Sequence, residues 1–272
     1  MERIKKALEM AREERLAQRA AEPSGREAQP RASQAAAQEQ NIQYSKTRVF
    51  DPDRNRLRQN RILLDQDDPD GATAFKMLRT QVLQRMVAKG WNALAITSPA
   101  PDDGKSVVAI NLAISLAREL HHTVLLVDLD LRNPSVHRHF GLQPERGFSD
   151  YILYDTPLDE ILLNPGIERL VMLPGRMPLE NSSEILASPQ IGRLVQELKS
   201  RYPSRFVLFD LPPILSADDA ISFAPNIDAL LLVLREKKTS RTELQHAMEL
   251  LANVPVIGTV LNGSRERISA YY

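Results

Sequence analysis

Three short stretches of the chain carry residue types that could bind and transfer phosphate. The first is Gly104-Lys105-Ser106, which opens an apolar helical run. A loop that leads into a helix aims several backbone N–H groups at one point, where the helix dipole also favours an anion. In such a loop the lysine reaches the β- and γ-phosphates of a nucleotide, and the hydroxyl ligates Mg²⁺. This spacing therefore predicts a nucleotide site centred on Lys105 and Ser106.

Acidic residues in the other two stretches could complete such a site. The stretch "VLLVDLDLRNP" places Asp128 and Asp130 on one side of an extended chain, with Arg132 following at the same spacing. The stretch "FVLFDLPP" ends an apolar run in Asp210. Carboxylates beside bound phosphate can hold Mg²⁺ or accept a proton from an attacking hydroxyl. Each stretch taken alone also fits a charged loop after a strand.

These residues need a sheet to bring them together. From residue 71 onward, short apolar runs without period-2 alternation alternate with helical segments. Strands that are buried on both faces show this pattern, so we predict a parallel β-sheet flanked by helices on both faces. Ligands of such sheets bind at the carboxyl ends of the strands, where all three stretches lie. Their order predicts a P-loop NTPase, a three-layer α/β/α fold, with a first strand at 93–97 and helices at 71–90, 106–120, 188–201 and 240–252.

The composition divides the chain into four predicted parts. Ile4 and Leu8 have helical spacing among charges, so residues 1–20 are predicted to form a short amphipathic helix, with a frayed, solvated helix as the alternative. Residues 21–70 are rich in Ala, Gln, Arg, Glu and Pro and are predicted to be a largely disordered linker. Residues 71–264 form the predicted nucleotide-binding domain, and residues 265–272 a flexible tail.

Several function classes are disfavoured by composition. The 35 basic residues balance the 35 acidic ones, so no overall field attracts nucleic acid or anionic lipid. The chain has no cysteine, which excludes disulfides and thiolate-bound metals and fits a cytoplasmic location. No stretch approaches eighteen uninterrupted apolar residues, so no membrane span is expected. The histidines lack partners at metal-ligand spacing, and no transition-metal site is expected at His121, His122, His137 or His139.

Residues 71–264 resemble the cytoplasmic domain of bacterial tyrosine autokinases, the BY-kinases of capsule and exopolysaccharide synthesis. This family consists of P-loop NTPases related to the ParA/MinD-type ATPases. The most specific match is Asp-x-Asp-Leu-Arg-x-Pro followed by His, which here runs from Asp128 to His137 and continues as "HFGL". The resemblance extends through "NSSEILASPQIGRLVQELKSRYPSRFVLFDLPP", "SADDAISFAPNIDALLLVLR" and "VIGTVLN", and the opening "MERIKKALEMA" also resembles some members.

The resemblance implies a protein-tyrosine autokinase that uses ATP and Mg²⁺ and phosphorylates tyrosines in the C-terminal tail of a neighbouring subunit. It makes Lys105, Asp128, Asp130 and Arg132 the candidate catalytic residues, with Asp128 as the base for the tyrosine hydroxyl. The candidate magnesium ligands are Ser106, Asp128, Asp130 and Asp210, and the candidate phosphoacceptors are Tyr271 and Tyr272. The candidate ATP-binding residues are Pro101, Asp102, Asp103, Gly104, Lys105, Ser106, Val107 and Asn262; for Asn262 a loop cap is the alternative.

The implied partners are a homo-oligomer and a transmembrane polysaccharide co-polymerase, or chain-length protein. The latter would activate the kinase and recruit it to the inner face of the membrane. Family members assemble a ring through Glu-x-x-Arg-x-x-Arg in the helix before the loop, where this chain has Thr73, Lys76 and Arg79. Loss of the acidic residue predicts weaker ring assembly, with a solvated helix face as the alternative for the two cations.

Two further departures bear on activity. The chain ends "RERISAYY", with two tyrosines in place of the family's longer run, and Asp102 stands where the family has glycine. A carboxylate near the phosphates predicts weaker ATP binding. Tyr151, Tyr154 and Tyr202 are predicted to be packing residues.

Two alternatives to an active kinase stay open. A partition ATPase of the ParA/MinD kind would carry an extra lysine near the start of the loop, where this chain has Ala100. A catalytically weak, nucleotide-binding regulator of a polysaccharide export complex would share every feature of the fold.

Overall fold

A computed structural model of the chain describes residues 47–64, 68–119, 121–202 and 204–264. The strands in this part are β1 (Arg48–Val49), β2 (Ala93–Thr97), β3 (Thr123–Asp128), β4 (Leu163–Asn164), β5 (Leu170–Leu173), β6 (Arg205–Asp210), β7 (Ala229–Arg235) and β8 (Val256–Asn262). The helices are α1 (Arg54–Gln59), α2 (Pro69–Val87), α3 (Lys105–Ala117), α4 (Val136–His139), α5 (Phe148–Tyr154), α6 (Leu158–Ile161), α7 (Ser182–Leu186), α8 (Pro189–Ser200), α9 (Asp219–Phe223) and α10 (Arg241–Leu250), with a 3₁₀ turn at Ala224–Asn226.

The strands form one sheet in the order β1-β4-β5-β3-β6-β2-β7-β8. Every neighbouring pair is parallel except β4 and β5, which are antiparallel. A short turn joins these two strands, and the Asn164 side chain accepts hydrogen bonds from the N–H groups of Gly166 and Ile167 within it. Such a short connection permits only an antiparallel pair. The predicted fold class is therefore confirmed, with this one antiparallel exception.

The sheet is buried on both faces because its strands are apolar at successive positions. All five residues of β2 are buried, and they alternate between two separate cores. Ala93 and Ala95 pack into the core beneath α8, whereas Leu94 and Ile96 pack into the core beneath α2 and α3. This two-sided burial is what the continuous apolar runs of the sequence predicted.

Helix ends follow local capping chemistry. The Ser188 side chain accepts from the N–H of Ile191 and Pro189 starts α8, while Ser240 and Glu243 cap each other's backbone at the start of α10. The Asp68 side chain caps α2, which therefore begins two residues before the predicted start. Strand β2 has the predicted bounds, and the three other predicted helices are present with ends shifted by one to three residues.

The structure corrects one part of the predicted organisation. The predicted linker over 21–70 is wrong for residues 48–64, which pair with β4 through β1 and form α1. The reason is a pair of apolar anchors within this polar segment, because Leu57 and Ile62 are each only 1% exposed. The predicted helix at 1–20, the rest of the linker up to residue 46 and the tail at 265–272 lie outside the described residues.

Two of the three tyrosines predicted to pack are exposed instead. Tyr151 stacks on Phe148 and is half-buried, as predicted. Tyr154 is 70% exposed at the end of α5, and Tyr202 is 46% exposed with the guanidinium of Arg205 over its ring. Across the described ranges, no helix is both long and apolar enough to cross a membrane.

Asp228 ties the amino end of β2 to helix α8. Its carboxylate accepts from the N–H groups of Asn92 and Ala93 and from Nζ of Lys199 at 2.6 Å. Burial opposes the charged form, but these hydrogen bonds outweigh it and lower the pKa of Asp228. Its contribution to stability is therefore present above the carboxyl's ordinary pKa and is lost as the pH falls through the lowered value.

We expect Asp228→Asn to lower the free energy of unfolding at pH 7 by about 1 kcal/mol, because its charged hydrogen bonds are lost at a site that is 19% exposed and partly screened by solvent. Urea denaturation at pH 7 and at pH 3 measures this, and the difference between the proteins should shrink at the lower pH. Glu249→Gln, which removes an exposed carboxylate on α10, is the control. A deficit that is equal at both pH values would contradict the role of the Asp228 charge.

Candidate active site

The three predicted stretches meet at the carboxyl edge of the central strands. Strand β6 lies between β2 and β3, and Asp210 pairs in register with Ile96 on one side and with Asp128 on the other. The loop after β2 leads into α3, which begins at Lys105. A cavity of about 720 Å³ lies over this edge. Its lining includes Pro101, Asp102, Gly104, Lys105, Ser106, Val107, Asp130 and Arg132.

The loop backbone requires glycine at one position. Gly104 has φ +91°, and a Cβ there would lie 2.0 Å from Nδ2 of Asn262. That amide donates to the Asp103 carbonyl at 2.8 Å, so Asn262 holds the loop from behind. This contact fits the loop-cap alternative for Asn262, and its place beside a nucleotide base stays a prediction.

Asp103, a candidate ATP-binding residue, is not among the residues that line the cavity. Its carboxylate is buried, accepts from the N–H of Ala100 and lies 3.4 Å from Nζ of Lys238. The Thr239 hydroxyl also donates to it at 3.4 Å. Lys238 and Thr239 belong to the segment between β7 and α10, so the segment that follows the strand next to β2 supports the loop. The role of Asp103 is therefore structural, because its contacts stabilise the conformation of the loop.

Lys105 is held by an acid of the second stretch. Its Nζ lies 2.7 Å from Oδ2 of Asp130 and 3.3 Å from the Ser106 hydroxyl. Burial disfavours the ammonium, but the charges of Asp210, Asp130 and Asp128 outweigh burial and raise the pKa of Lys105. The lysine is thus charged at neutral pH and can bind a phosphate group in place of the Asp130 carboxylate.

Asp128 and Asp210 lie beneath the floor of this cavity and are fully buried. Burial, followed by the charge of Asp210, raises the pKa of Asp128 to about 8. Burial also raises the pKa of Asp210, to about 6, although the charge of Lys105 opposes the rise. Asp128 accepts from the N–H groups of Ser135 and Val136 through one oxygen only. At neutral pH Asp128 therefore keeps its proton in the metal-free protein, and a bound cation would favour its charged form.

The residues present fit Mg²⁺. One oxygen of Asp128 and both oxygens of Asp210 are buried without a hydrogen bond of ordinary geometry among the residues described, although the Ser106 side chain lies close enough to lower the pKa of Asp210. The Ser106 hydroxyl lines the cavity close to the charge of Lys105. Within the same described part, no group of three or more His, Asp or Glu side chains is placed to hold a metal ion. A magnesium ion beside Ser106 and the two acids would therefore need further ligands from water and from substrate phosphates.

Arg132 lines the cavity and pairs with an acid that the sequence reasoning missed. Its Nε donates to Oδ2 of Asp219 at 3.1 Å, and Asp219 is fully buried whereas the Arg132 side chain is 47% exposed. Asp219 fixes the arginine at the mouth of the site. The "SADDA" stretch after Pro213 contained this acid, but nothing in its spacing indicated its partner.

Other lining residues were also missed. Arg138, His139 and Arg235 line the cavity, and so do Asn60 and Arg61 from the segment predicted to be a linker. Arg138, His139 and Arg235 lie in or beside stretches that carry the family resemblance, but nothing in their spacing indicated a place in the cavity. Asn60 and Arg61 stand in no motif, so only their tertiary placement reveals them.

The alternative of a solvated face on α2 does not hold for Arg79. Its guanidinium donates to the Ser115 carbonyl at 3.1 Å and lies 2.9 Å from a carboxylate oxygen of Glu119. The side chain is only 18% exposed, because α3 packs against this part of α2. The Thr73 hydroxyl bonds its own helix at the Pro69 carbonyl, and Lys76 is exposed. The predicted phosphoacceptors Tyr271 and Tyr272 lie beyond the last described residue.

Comparison with known proteins decides the family. The chain is 30% identical over 214 residues to the tyrosine-protein kinase YwqD of Bacillus subtilis (strain 168), covering 78% of this chain and 89% of YwqD. The chain belongs to the bacterial BY-kinase family. The putative tyrosine-protein kinase CapB of Staphylococcus aureus is also 30% identical, over 73% of this chain and 87% of CapB.

Solved structures confirm the BY-kinase fold. The chimerical protein CapA2B2 superposes with a TM-score of 0.70 at 26% identity, over 80% of this chain and 93% of that one. The kinase domain of the Escherichia coli tyrosine kinase ETK gives 0.66 at 28% identity, over 74% and 79%. The septum-site-determining protein MinD of Pyrococcus horikoshii OT3, complexed with Mg-ADP, gives 0.51 at 25% identity, over 65% and 73%.

The wider relationship of this BY-kinase is to P-loop NTPases of the ParA group. A family model described as an NUBPL iron-transfer P-loop NTPase matches residues 91–269. Iron transfer belongs to that description, and this chain has no cysteine to ligate iron. The chain spans most of YwqD and CapB, but only 29% of the longer kinase etk of Escherichia coli (strain K12).

The departure at Asp102 is accommodated by the backbone. Asp102 has φ +61°, a left-handed conformation that aspartate tolerates better than most residues, and its exposed side chain lines the cavity. The loop therefore closes without glycine, while its carboxylate stays near the phosphate position.

We expect Asp102→Gly to bind ATP several-fold more tightly, because a repelling charge is removed and glycine adopts this conformation freely. Calorimetric titration with ATP and Mg²⁺ measures the change. Asp102→Asn, which loses the charge but keeps the side chain, should recover most of the gain. Unaltered or poorer affinity in Asp102→Gly would show that the carboxylate does not oppose binding.

Proposed function

We propose that this BY-kinase is an ATP- and Mg²⁺-dependent protein-tyrosine autokinase that transfers the γ-phosphoryl group to tyrosines of its own tail. The observation that carries the proposal is the charge arrangement at the loop, where Lys105 is paired to Asp130 above two buried carboxylates with free oxygens. A nucleotide with bound Mg²⁺ fits this site, because its phosphates can bind the lysine and its cation can bind the carboxylates.

The residues of the chain have distinct roles in this proposal. When ATP binds, its phosphate oxygens replace the Asp130 carboxylate as the partner of Lys105. Asp130 is then free to bind another group. The N–H groups at the start of α3 bind the phosphate chain, because they have no partner in the helix. Mg²⁺, when bound, neutralises charge on the transferred group and would be held by Ser106, Asp130, Asp210 and Asp128.

The acceptor also needs a base. A tyrosine hydroxyl has a pKa of about 10, so it must lose its proton as it attacks. Asp128 is the proposed acceptor of that proton, in the charged form that bound Mg²⁺ would favour over the protonated form of the metal-free protein. Because Asp128 is fully buried and does not line the cavity, a tyrosine can reach it only if neighbouring side chains move. Arg132, fixed by Asp219, is placed to bind the negative charge of the transferred group.

The proposed biological role is regulation of exopolysaccharide or capsule synthesis and export. It rests on the family, in which YwqD, CapB and the ETK kinase domain are tyrosine kinases by name. The proposed partner is a transmembrane chain-length protein whose cytoplasmic segment activates the kinase and recruits it from the cytoplasm to the membrane. A homo-oligomer that presents one tail to the next subunit is a second proposed partner.

A catalytically weak regulator of the same complex is the second candidate. Asp102 in the cavity and the burial of Asp128 favour it, because the first opposes phosphate and the second hides the base. A partition ATPase is less favoured, because Ala100 stands where that class carries its additional lysine and uses its N–H to bind Asp103.

The test is to incubate the purified protein with ATP and Mg²⁺, with and without the cytoplasmic segment of the transmembrane partner, and to locate phosphotyrosine by mass spectrometry. We expect phosphate on the tail, and its loss when Tyr271 and Tyr272 are both replaced by phenylalanine. ATP binding without phosphotyrosine under either condition would reject the kinase in favour of the regulator.

A further inference from the structure

A wall of the nucleotide cavity comes from the segment upstream of α2. Asn60 and Arg61, which follow α1, line the cavity together with Ser106 and Val107 of the loop helix. We propose that Arg61 is a nucleotide-binding residue whose guanidinium contacts the phosphate chain of ATP. This inference rests on the proposed function for its ligand, because ATP must be what fills the cavity.

The first argument is the availability of the Arg61 charge. Around the cavity, Lys105 is paired with Asp130, Arg132 with Asp219, and the Arg138 guanidinium donates to the Asn133 side chain at 2.6 Å. The Arg61 side chain is exposed and makes no ion pair or hydrogen bond with another residue in the described ranges. It can therefore bind an anion without first breaking a contact with any of them, unlike these three cations.

The second argument is the fixed backbone beneath that side chain. Arg61 has φ +59°, a left-handed conformation that is uncommon for a residue with a Cβ. Its N–H donates to the Arg58 carbonyl at 2.9 Å, and the next residue, Ile62, is buried in the core. A turn that is held on both sides presents one side chain in one direction, which lowers the entropy lost when a ligand binds.

The third argument is a direct link between this turn and the loop helix. The Asn111 side chain donates to the carbonyls of Arg61 at 2.9 Å and Val107 at 3.0 Å, and accepts from the N–H of Leu63 at 2.8 Å. Asn111 is buried in α3, where its neighbours are apolar. The Asn60 side chain adds a bond to the His139 carbonyl at 2.7 Å. The position of Arg61 is thus set relative to the phosphate-binding turn itself.

The decisive variant is Arg61→Gly, because glycine adopts φ +59° without strain and removes only the side chain. Titration calorimetry with ATP and Mg²⁺ should show affinity about tenfold weaker than wild type, the effect of one lost charged hydrogen bond. Arg61→Lys should recover part of this loss. Arg54→Ala removes one positive charge from an exposed position on α1 and should change affinity by less than about twofold.

Thermal unfolding without nucleotide separates binding from folding, and Arg61→Gly should unfold at or above the wild-type temperature. Wild-type affinity in Arg61→Gly, or an equal loss in Arg54→Ala, would overturn the inference. The kinase proposal fails separately, if the wild type binds ATP but forms no phosphotyrosine. A wild type that does not bind ATP would overturn both.

Discussion

Replacing Lys105 with methionine is expected to reduce autophosphorylation at least about a hundredfold, because the residue supplies the positive charge nearest to the phosphate-binding turn. In the structure its Nζ forms an ion pair with Asp130 at 2.7 Å, and Asp128 and Asp210 lie fully buried in the same site. Methionine has similar length but cannot bind the phosphate chain. It also leaves three carboxylates to repel that chain without compensation.

Phosphotyrosine mass spectrometry and ATP titration on the same preparation measure both consequences. We expect ATP affinity to fall as well, because the lysine contacts the phosphates before and during transfer. Lys89→Met is the matched control, since Lys89 lies over Trp91 just before β2 and therefore at the opposite edge of the sheet. Phosphotyrosine at wild-type levels in Lys105→Met would show that the donor nucleotide binds elsewhere.

The second large effect is expected for Asp128→Asn, which should reduce autophosphorylation about a thousandfold while stabilising the metal-free protein. The activity falls because asparagine cannot accept the tyrosine proton. Its oxygen can still accept from the N–H groups of Ser135 and Val136, so the local backbone is retained. Its NH₂ group can then face Asp210, whose two oxygens lack partners among the described residues.

The stability change follows from the pKa. Burial, with the charge of Asp210, raises the pKa of Asp128 from 3.8 to about 8, so the folded carboxyl keeps its proton at pH values where the unfolded chain has lost it. The stability of the metal-free wild type should therefore decline as the pH rises from about 4 to 8. Asp128→Asn removes the part of this decline that comes from Asp128 and should gain at least about 1 kcal/mol near pH 8, whereas the part from Asp210 stays.

Urea denaturation without metal at pH 5 and pH 8, alongside phosphotyrosine analysis, tests both halves. Asp155→Asn is the control, because Asp155 is exposed and has φ +51°, which asparagine tolerates. High activity in Asp128→Asn would transfer the role of base to another acid, and Asp130 lines the cavity. A stability gain that does not grow with pH would contradict the buried carboxyl as its source.

Much of the site was predictable from the sequence because its determinants are local. Gly104-Lys105-Ser106 specifies a loop and a helix start, and the apolar runs ending in Asp128 and Asp210 specify neighbouring buried strands. Parallel strands place their carboxyl ends at one edge, so three local patterns were enough to predict the constellation. The short antiparallel step at β4 depends on a turn that these patterns did not reveal.

The remaining features depend on contacts between distant parts of the chain. Residues 48–64 are polar overall, and only their pairing with β4 and the burial of Leu57 and Ile62 make them part of the fold. In the sequence Arg79 resembles a surface charge. In the structure it contacts the Ser115 carbonyl of α3 and the Glu119 carboxylate just after that helix. When the hydrogen-bond partner of a side chain lies far away in the sequence, the spacing of the neighbouring residues does not predict the contact.

The Asn111 contacts have a practical consequence for how the protein should be produced. A recombinant version trimmed to the boundary that the composition suggests, residue 71, would discard the turn that Asn111 holds. Its amide in α3 would lose the partners at Arg61 and Leu63, and the hydrophobic sites of Leu57 and Ile62 would be left unfilled. Comparisons of ATP binding between variants should therefore use chains that begin upstream of Arg48, since shorter chains lack the part of the cavity that Asn60 and Arg61 line.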